Sequence, residues 1–503
     1  MDKLNEMTGR LDELERSLYV FGHLSSAVEL DAMTAAPQDS EAGRSVVTEY
    51  LSSREYELFT SKKTGELLKE LSEHKDELPA RAARQAEVLK RRYDRMKAIP
   101  QEEYVKYDVL ISESQNVWVK AKRENDFASF APYLEKIIDA QLRFVNYRDP
   151  RHYNRPYDVL LEEYEYGLTM DFLDRFFADL KKTIVPLVRE ISEKGWQPDT
   201  EILRGNFPIE KQRGLSDYLM EVLTIDRDHC NIAETEHPFT LEFNKDDVRI
   251  TTHYHADEVM SSFYSVMHEG GHALYELHTG DDLRFTSLAE GASSGIHESI
   301  SRFFENIIGR SRGFCDFILP KMREIFPESF GKVSPEEFYK AVNKAQPSLI
   351  RTESDELTYC LHVMVRYEIE KDLISRKIRV RDLPRIWNEK MKEYLGVDVP
   401  DDTHGVLQDS HWSSGSFGYF PTYALGNAYG AQMAERMRQD VDLDECCAKG
   451  DLKPVVDWLT EHVFKYGSMM DPLPLFEQYC GAEFTAEPYC RYLKEKFSTI
   501  YDL

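Results

Sequence analysis

The residues whose types and spacing could do chemistry are concentrated at His268-Glu269-Gly270-Gly271-His272, an HExxH pattern inside a run that reads as helix. Residues four apart on a helix lie one turn above each other on the same face. His268 and His272 can therefore direct both imidazoles at one metal ion, while Glu269, one step round, stands beside the water such an ion carries. That is the chemistry of a zinc hydrolase. The competing reading is an ordinary amphipathic helix whose histidines face solvent. Gly270 and Gly271 argue against it: each costs a helix interior roughly 1 kcal/mol relative to Ala, so close approach of another helix or of substrate is expected there.

Further polar groups lie on both sides of this motif. Downstream, Gly295 to Phe304 begins a second helix with Ile296, Ile300, Phe303 and Ile307 on its apolar stripe. Glu298 lies off that stripe, as a third metal ligand would; the plainer alternative is a surface ion pair with Arg302 one turn on. Upstream, Phe239 to Phe243 and Val248 to Thr252 flank the polar turn Asn244-Lys245-Asp246-Asp247 and read as a hairpin. Alternate strand residues share a face, so Asp247, Arg249 and Thr251 project together, opposite Val248 and Ile250. Asp247 can fix the Arg249 guanidinium through a charge-assisted hydrogen bond, or the face is simply solvated. An edge strand here also offers a place for an extended peptide to add. Beyond these, Arg351 and Asp355 are four apart, the spacing of a routine helix ion pair. Gly405 to Trp412, containing Gln408, Asp409 and His411, leads into the glycine- and aromatic-rich stretch Ser413 to Tyr423. That stretch suits a loop passing close to a ligand, or a structural loop packed by aromatics.

The elements that must position these groups are mostly helical. From Leu4 to about Tyr93 the chain is rich in Leu, Glu, Lys, Arg and Ala, with Leu11, Leu14, Leu18 and Phe21 marking one face and Pro37, Pro79 and Pro100 punctuating it. Long helices paired as hairpins are expected, forming a wall or lid over residues 1–100 beside a catalytic body over 101–503. Taken alone this part also reads as a coiled-coil scaffold, but its apolar repeat is no sustained heptad. Tyr147 to Tyr157, with two prolines, reads as a loop. Thr169 is a candidate N-cap, and Ser334-Pro335-Glu336-Glu337 combines a cap, a first-turn proline and an acidic third position.

Composition sets limits. With 503 residues, 42% hydrophobic, one large helical body is as admissible as a split into about three domains. A formal charge of -27 argues against nucleic acid or an anionic membrane as a partner. The seven scattered cysteines lack a CxxC pair and read as reduced thiols. No leader-like or membrane-spanning apolar run is present, so a cytoplasmic location is the expectation.

With these motifs assembled, the chain resembles the Taq-type metallocarboxypeptidase family, helical zincins that remove C-terminal residues. The likeness rests on His237-Pro238-Phe239 (HPF), Asp247 to Thr251 (DxRxT), His268 to His272 (HExxH), His297-Glu298-Ser299 (HES), Ile350 to Asp355 (I(R/A)xxAD) and Gly405 to Trp412 (GxxQDxHW), in the family's order. Two positions depart from it: Ser354 stands where Ala is usual, and Ile300 where Gln commonly follows HES.

The resemblance implies a mainly α-helical molecule with a deep substrate groove, a small antiparallel β-sheet beside the metal helix, one divalent metal per chain and a homodimer. Zinc is expected at His268, His272 and Glu298, with cobalt or manganese as alternatives. Glu269 would be the general base acting on a metal-bound water, with Tyr423 and His411 as candidate oxyanion donors. Arg351 would pair with a peptide's terminal carboxylate, oriented by Asp355, with Arg249 as second choice; His237, Asp247, Gln408 and Asp409 complete the candidate substrate-binding set. Peptides with a free C-terminus are the expected substrates. HExxH alone leaves open an endopeptidase or dipeptidyl carboxypeptidase, and a non-catalytic scaffold with a structural metal is the alternative from another class.

Overall fold

The leucine-rich first hundred residues form four helices in a computed structural model that describes residues 2–149 and 155–503. They are α1 (Asp2–Thr34), α2 (Glu41–Phe59), α3 (Lys62–Glu73) and α4 (Ala80–Ala98). Proline stands at the N-cap of α4, and Ser61 caps α3 by accepting from the Thr64 amide. Leu11, Leu14 and Leu18 are buried against Phe59, Leu68, Leu71 and Leu89 in an apolar cluster of their own, while Phe21 is only half-buried. Arginines on α4 tie this unit to the rest of the chain: Arg84 and Arg91 both donate to Asp471, and Arg84 also to the Ser468 carbonyl.

A second, larger apolar cluster fills the remainder. At its centre runs the helix Val259–Leu277, with Val259, Phe263, Val266, Met267 and Leu274 at most 1% exposed. Against it packs the helix Ser294–Arg302, which continues through a π-helical turn, Phe303–Ile308. Gly271 is what lets the two approach: a Cβ there would stand 2.8 Å from the Ser301 Cα and 2.9 Å from the Ile300 carbonyl oxygen. On the other side, Gly426 of the helix Phe420–Met437 does the same, since a Cβ there would lie 2.7 Å from the Glu298 Cγ. The helix carrying Glu298 is thus clamped between two glycines.

The sheet has three strands, β1 (Cys230–Glu234), β2 (Thr240–Asn244) and β3 (Asp247–Thr252), in the order β1-β3-β2. β2 and β3 form the antiparallel hairpin read from the sequence, but β1 pairs parallel to β3. The expected antiparallel sheet is therefore mixed. Val248 and Ile250 are fully buried, and β2 is left at the edge.

Other local expectations can be located. Thr169 accepts from the Phe172 amide, and Ser334 and Glu337 form a reciprocal capping box. In the expected loop at Tyr147 to Tyr157, one helix runs to Arg148 and the next begins at Pro156; residues 150–154 lie outside the described residues. The glycine-rich stretch has features of both alternatives: Gly418, at φ +94°, brings its backbone against Leu160, where a Cβ would meet the carbonyl oxygen at 2.9 Å, while Tyr419 and Tyr423 line the groove. All seven cysteines are free thiols, six of them buried.

Candidate metal centre and substrate groove

His268 and His272 point from one face of the Val259–Leu277 helix toward Glu298 on the neighbouring helix. Their Nε2 atoms stand 3.7 and 3.6 Å from the same oxygen, Glu298 Oε2. These separations are long for hydrogen bonds but suit three ligands of one ion, because tetrahedral donors about 2.1 Å from a metal lie roughly 3.4 Å apart. One donor atom from each residue falls within 4.8 Å of the others, the only such His/Cys/Asp/Glu group among the described residues.

All three side chains are held by further partners. His268 Nδ1 meets Glu305 Oε2 at 2.9 Å, and His272 Nδ1 meets His297 Nδ1 at 2.5 Å. His297 in turn holds Glu276 through its Nε2, at 2.5 Å. Glu298 Oε1 accepts from Arg302 Nε at 2.7 Å, and its Oε2 from the Ser301 hydroxyl at 3.1 Å. Such partners fix ring orientation and leave the inward lone pairs for a metal. The donor set, two imidazoles and a carboxylate, fits a divalent ion.

Electrostatics agree with that assignment. Burial, aided by the neighbouring imidazoles, holds His272 down at about 3, so its ring is neutral and able to ligate. For His268 burial acts in the same direction, but the carboxylates of Glu298 and Glu305 outweigh it and the net shift is upward. Burial opposes the charge on Glu298 too, yet Arg302 and the histidines hold its carboxyl well below the usual range.

Glu269 is buried beside this centre, and its carboxyl is pushed up chiefly by burial. Its Oε2 accepts from the Thr240 hydroxyl at 2.7 Å, which ties the edge strand β2 to the helix. Glu269, His268, His272 and Glu298 all open on one cavity of about 1000 Å³, lined also by Tyr419 and Tyr423. Tyr423 has its hydroxyl 3.3 Å from His411 Nε2, and His411 sits behind it, stacked on Phe420 at 4.3 Å. Burial lowers His411 to about 4, so the ring is neutral.

The arginines separate. Arg351 lies in a single 3-10 turn, Arg351–Glu353, rather than on a helix, and Asp355 does not orient it. Asp355 instead accepts from the Gln346, Leu357 and Thr358 amides. The partner of Arg351 is Asp409, whose Oδ1 accepts from Nε at 3.1 Å and Nη2 at 2.9 Å, while Nη1 donates to the Tyr359 hydroxyl at 2.9 Å. Asp409 also accepts from Arg366, and Gln408 Oε1 accepts from Arg366 and the Arg351 amide. Gln408 and Asp409 therefore sit behind the groove and hold guanidiniums; neither they nor the buried Arg351 line the cavity, which Arg351 reaches only through its contact with Tyr423. The Arg351 guanidinium carbon is 4.9 Å from the centre of the Tyr423 ring.

On the hairpin, Arg249 Nε and Nη2 donate to the two oxygens of Asp247 at 2.8 and 2.9 Å. This pair is half-exposed and does not line the cavity. Thr251 turns inward and is fully buried, its hydroxyl accepting from the Phe239 amide. His237 is exposed and also outside the lining, although the next three residues, Pro238 to Thr240, contribute to it. Ile300 is fully buried, and Ser354 donates to the Arg351 carbonyl at 2.6 Å. The groups around the candidate metal ligands are thus His297, Ser301, Arg302 and Glu305, with none from position 300.

Residues 10–497 match the family model described as Carboxypeptidase Taq (M32) metallopeptidase. The chain belongs to the M32 carboxypeptidase family. It is accordingly a metal-dependent peptide hydrolase of the carboxypeptidase class. Carboxypeptidase 1 of Bacillus subtilis is 40% identical over 483 residues, spanning 95% of this chain and 96% of that one. Thermostable carboxypeptidase 1 of Pyrococcus furiosus is 34% identical, spanning 98% of this chain and 99% of the relative. The crystal structure of an M32 carboxypeptidase from Deinococcus radiodurans superposes with a TM-score of 0.95 at 33% identity, covering 99% of this chain and all of the other.

Proposed function

We propose that this M32 enzyme removes single residues from peptides with a free C-terminus, with Glu269 as general base. The observation that carries the reading is Glu269, held by Thr240 at the mouth of the His268–His272–Glu298 triad inside the groove. A divalent ion in that triad, zinc by preference with cobalt or manganese as alternatives, would supply Lewis-acid polarisation and lower the pKa of water. Glu269 Oε2 then accepts the proton of the attacking water and returns it to the leaving amine. Its raised affinity for protons suits both halves of that cycle.

Tyr423 is the proposed oxyanion donor. With the proton of His411 on Nε2, the imidazole donates to the phenolic oxygen and leaves the Tyr423 O–H free to point into the groove. His411 is then a positioning residue. Arg351 is the proposed anchor for the terminal carboxylate, in preference to the half-exposed Arg249. Two guanidiniums, Arg351 and Arg366, share the single carboxylate of Asp409, so the cluster keeps a net positive charge next to Tyr423. The edge strand β2 offers backbone groups to an extended peptide. The N-terminal helices are proposed as a lid whose arginines line the groove.

No described helix is long and apolar enough to cross a membrane. A homodimer has a candidate face in Val20, Leu24, Val46, Val47 and Tyr50, all exposed on α1 and α2. The decisive experiment compares a free peptide with its C-terminal amide. Stepwise release of single residues from the acid and near-total loss of cleavage for the amide is the expected result, and Arg351→Ala should weaken cleavage of the acid alone. If the amide is cut as fast, or either peptide is cut internally, an endopeptidase replaces the carboxypeptidase reading.

A further inference from the structure

One wall of the groove carries three carboxylates, of which only Glu276 has a side-chain partner among the described residues, His297. Glu242 lies two residues beyond Thr240 on β2, and alternate residues of a strand share a face; both line the cavity. Glu276 lies one helical turn beyond His272, and Glu290 comes from the loop opposite; they line it too. Among the described residues, the side chains of Glu242 and Glu290 have neither a hydrogen bond nor an ion pair.

A separate observation concerns Glu276, which is only 6% exposed. Its Oε1 is held by His297, but its Oε2 is buried with no partner at all. Burying an unpaired carboxylate oxygen is costly unless a ligand completes it. Burial, with the charges of Glu276 and Glu290, pushes the Glu242 carboxyl up to about 8.

The nearby groups of opposite sign are committed elsewhere. Arg92, whose charge is felt by Glu290, donates to Glu55 at 2.8 Å, and Lys245 holds Asp281 and the Thr279 carbonyl. Glu15, at the adjoining α1 wall, shows what a purely structural carboxylate looks like here. It is 3% exposed and accepts from Gln85 Nε2 and from both the amide and hydroxyl of Ser287. Glu242, Glu276 and Glu290 have no such set of donors.

We propose that Glu242, Glu276 and Glu290 form a subsite for a cationic group of the peptide substrate, a protonated amine or guanidinium. Like-charged carboxylates in a partly desolvated wall repel one another, and a cation placed among them relieves that repulsion while gaining charge-assisted hydrogen bonds. The strand advances about 3.4 Å per residue and the helix about 1.5 Å, so the backbone path is roughly 6–7 Å both from Thr240, which holds Glu269, to Glu242 and from His272 to Glu276. An extended peptide covers that distance in about two residues, so the group is borne within two residues of the scissile bond. Its source is either a Lys or Arg side chain or, in a very short peptide, the α-ammonium. This inference rests on the proposed peptide hydrolysis in the same groove.

The test uses the metal-loaded enzyme and N-acetylated tetrapeptides in which Lys replaces Ala at each position in turn, together with the unacetylated all-Ala peptide. The expected result is a kcat/KM for one cationic peptide about tenfold or more above its neutral counterpart, the factor that one partly buried charge pair provides, and a ratio that falls as salt is raised. Preference for a Lys position identifies a side-chain cation; preference only for the unacetylated peptide identifies the α-ammonium. Glu242→Gln with Glu290→Gln should bring the ratio toward one, and Glu242→Lys should reverse it in favour of peptides carrying Glu. Butylguanidinium gives a reading on the wild-type chain alone: it should inhibit competitively, and more weakly at high salt. A wild-type ratio near one for every peptide, or a ratio untouched by the double substitution, overturns the subsite while leaving hydrolysis intact. Failure to cleave even the neutral peptide would instead count against the function on which the subsite depends.

Discussion

Two arginine–carboxylate pairs, each with its carboxylate in a motif, differ in what surrounds them. On the groove floor Glu298 and Arg302 are 9% and 16% exposed and share their atoms with Ser301, Glu305 and two histidines. On the hairpin Asp247 and Arg249 are 36% and 42% exposed and hold mainly each other. The bonds themselves are of similar length, 2.7 and 2.8 Å. The comparison teaches that bond geometry does not reveal what a pair is for. In the floor pair, each charge is orphaned in a desolvated site if the other is removed, whereas water can replace either partner on the hairpin.

The largest effect should come from the floor carboxylate that is not in an ion pair. Glu269→Gln keeps the shape and a hydrogen bond to Thr240 but cannot take a proton. Turnover should fall by roughly 10²–10⁴-fold, with metal content, measured by elemental analysis, unchanged. Loss of metal with full turnover would reverse the roles given to Glu269 and the ligands.

Next comes the floor pair itself. Arg302→Met removes the guanidinium that holds Glu298 Oε1 and leaves the carboxylate free to turn. Metal affinity should weaken by about 10–100-fold, read by competition with a chelator, and unfolding should become easier by roughly 3–5 kcal/mol. If affinity is unchanged, Ser301 and the histidines position Glu298 without help.

How far the sequence foresaw this arrangement depends on locality. The clustering of His268, His272 and Glu298 with Glu269 beside them was legible because helical spacing alone puts His268, Glu269 and His272 together, and Glu298 stands out from the apolar stripe of its own helix. The glycines at 270 and 271 correctly signalled close packing, whose partners are Leu223 and the backbone at Ile300 and Ser301. What was not legible is the shell contributed from elsewhere: Thr240 from a strand, Glu305 from a π-helical turn, Arg366 from a distant helix. Arg351 shows the failure plainly. Four-residue spacing implied a helix pair with Asp355, but the chain leaves the turn in extended conformation at Ser354, with ψ 148°. Asp355 is carried off to cap the next segment, and Asp409, 58 positions away, takes the guanidinium. The strand Cys230–Glu234 was missed for a related reason: its parallel partner is set by the tertiary fold, and its one buried residue gives no alternation to read.

Asp409 lies between the floor and the hairpin in expected effect, and it adds a pH test. Burial alone would raise its carboxyl, but the guanidiniums of Arg366 and Arg351 override that and hold it well below the ordinary carboxylate range. A depressed folded-state value means stabilisation that is present above the unfolded value near 4 and lost as pH falls below it. Asp409→Asn leaves two buried guanidiniums without a counter-charge. Its stability deficit, read by denaturant midpoint, should be about 3 kcal/mol at neutral pH and should narrow as pH drops below about 4, where the wild-type chain loses the same contribution. A deficit constant with pH would mean that packing, not charge, holds the cluster.

The smallest effect should come from the hairpin. Arg249→Ala removes a guanidinium that contacts Asp247 and lies over the Phe243 ring at 4.8 Å, on a half-exposed strand face. Solvent screening limits such a pair to about 0–1 kcal/mol, so the unfolding midpoint should barely move. Arg351 packs over the ring of Tyr423, which lines the cavity, whereas Arg249 packs over Phe243, which does not, so KM and kcat for a free-acid peptide should also stay close to wild type, in contrast to Arg351→Ala. The informative outcome is the opposite one. A large rise in KM with unchanged stability would mean that substrate, or a segment that closes over it, reaches the outer face of the hairpin, and the terminal carboxylate would then be assigned to Arg249. A large loss of stability would mean instead that the pair closes the sheet edge, and the distinction drawn between floor and surface would fail at the hairpin.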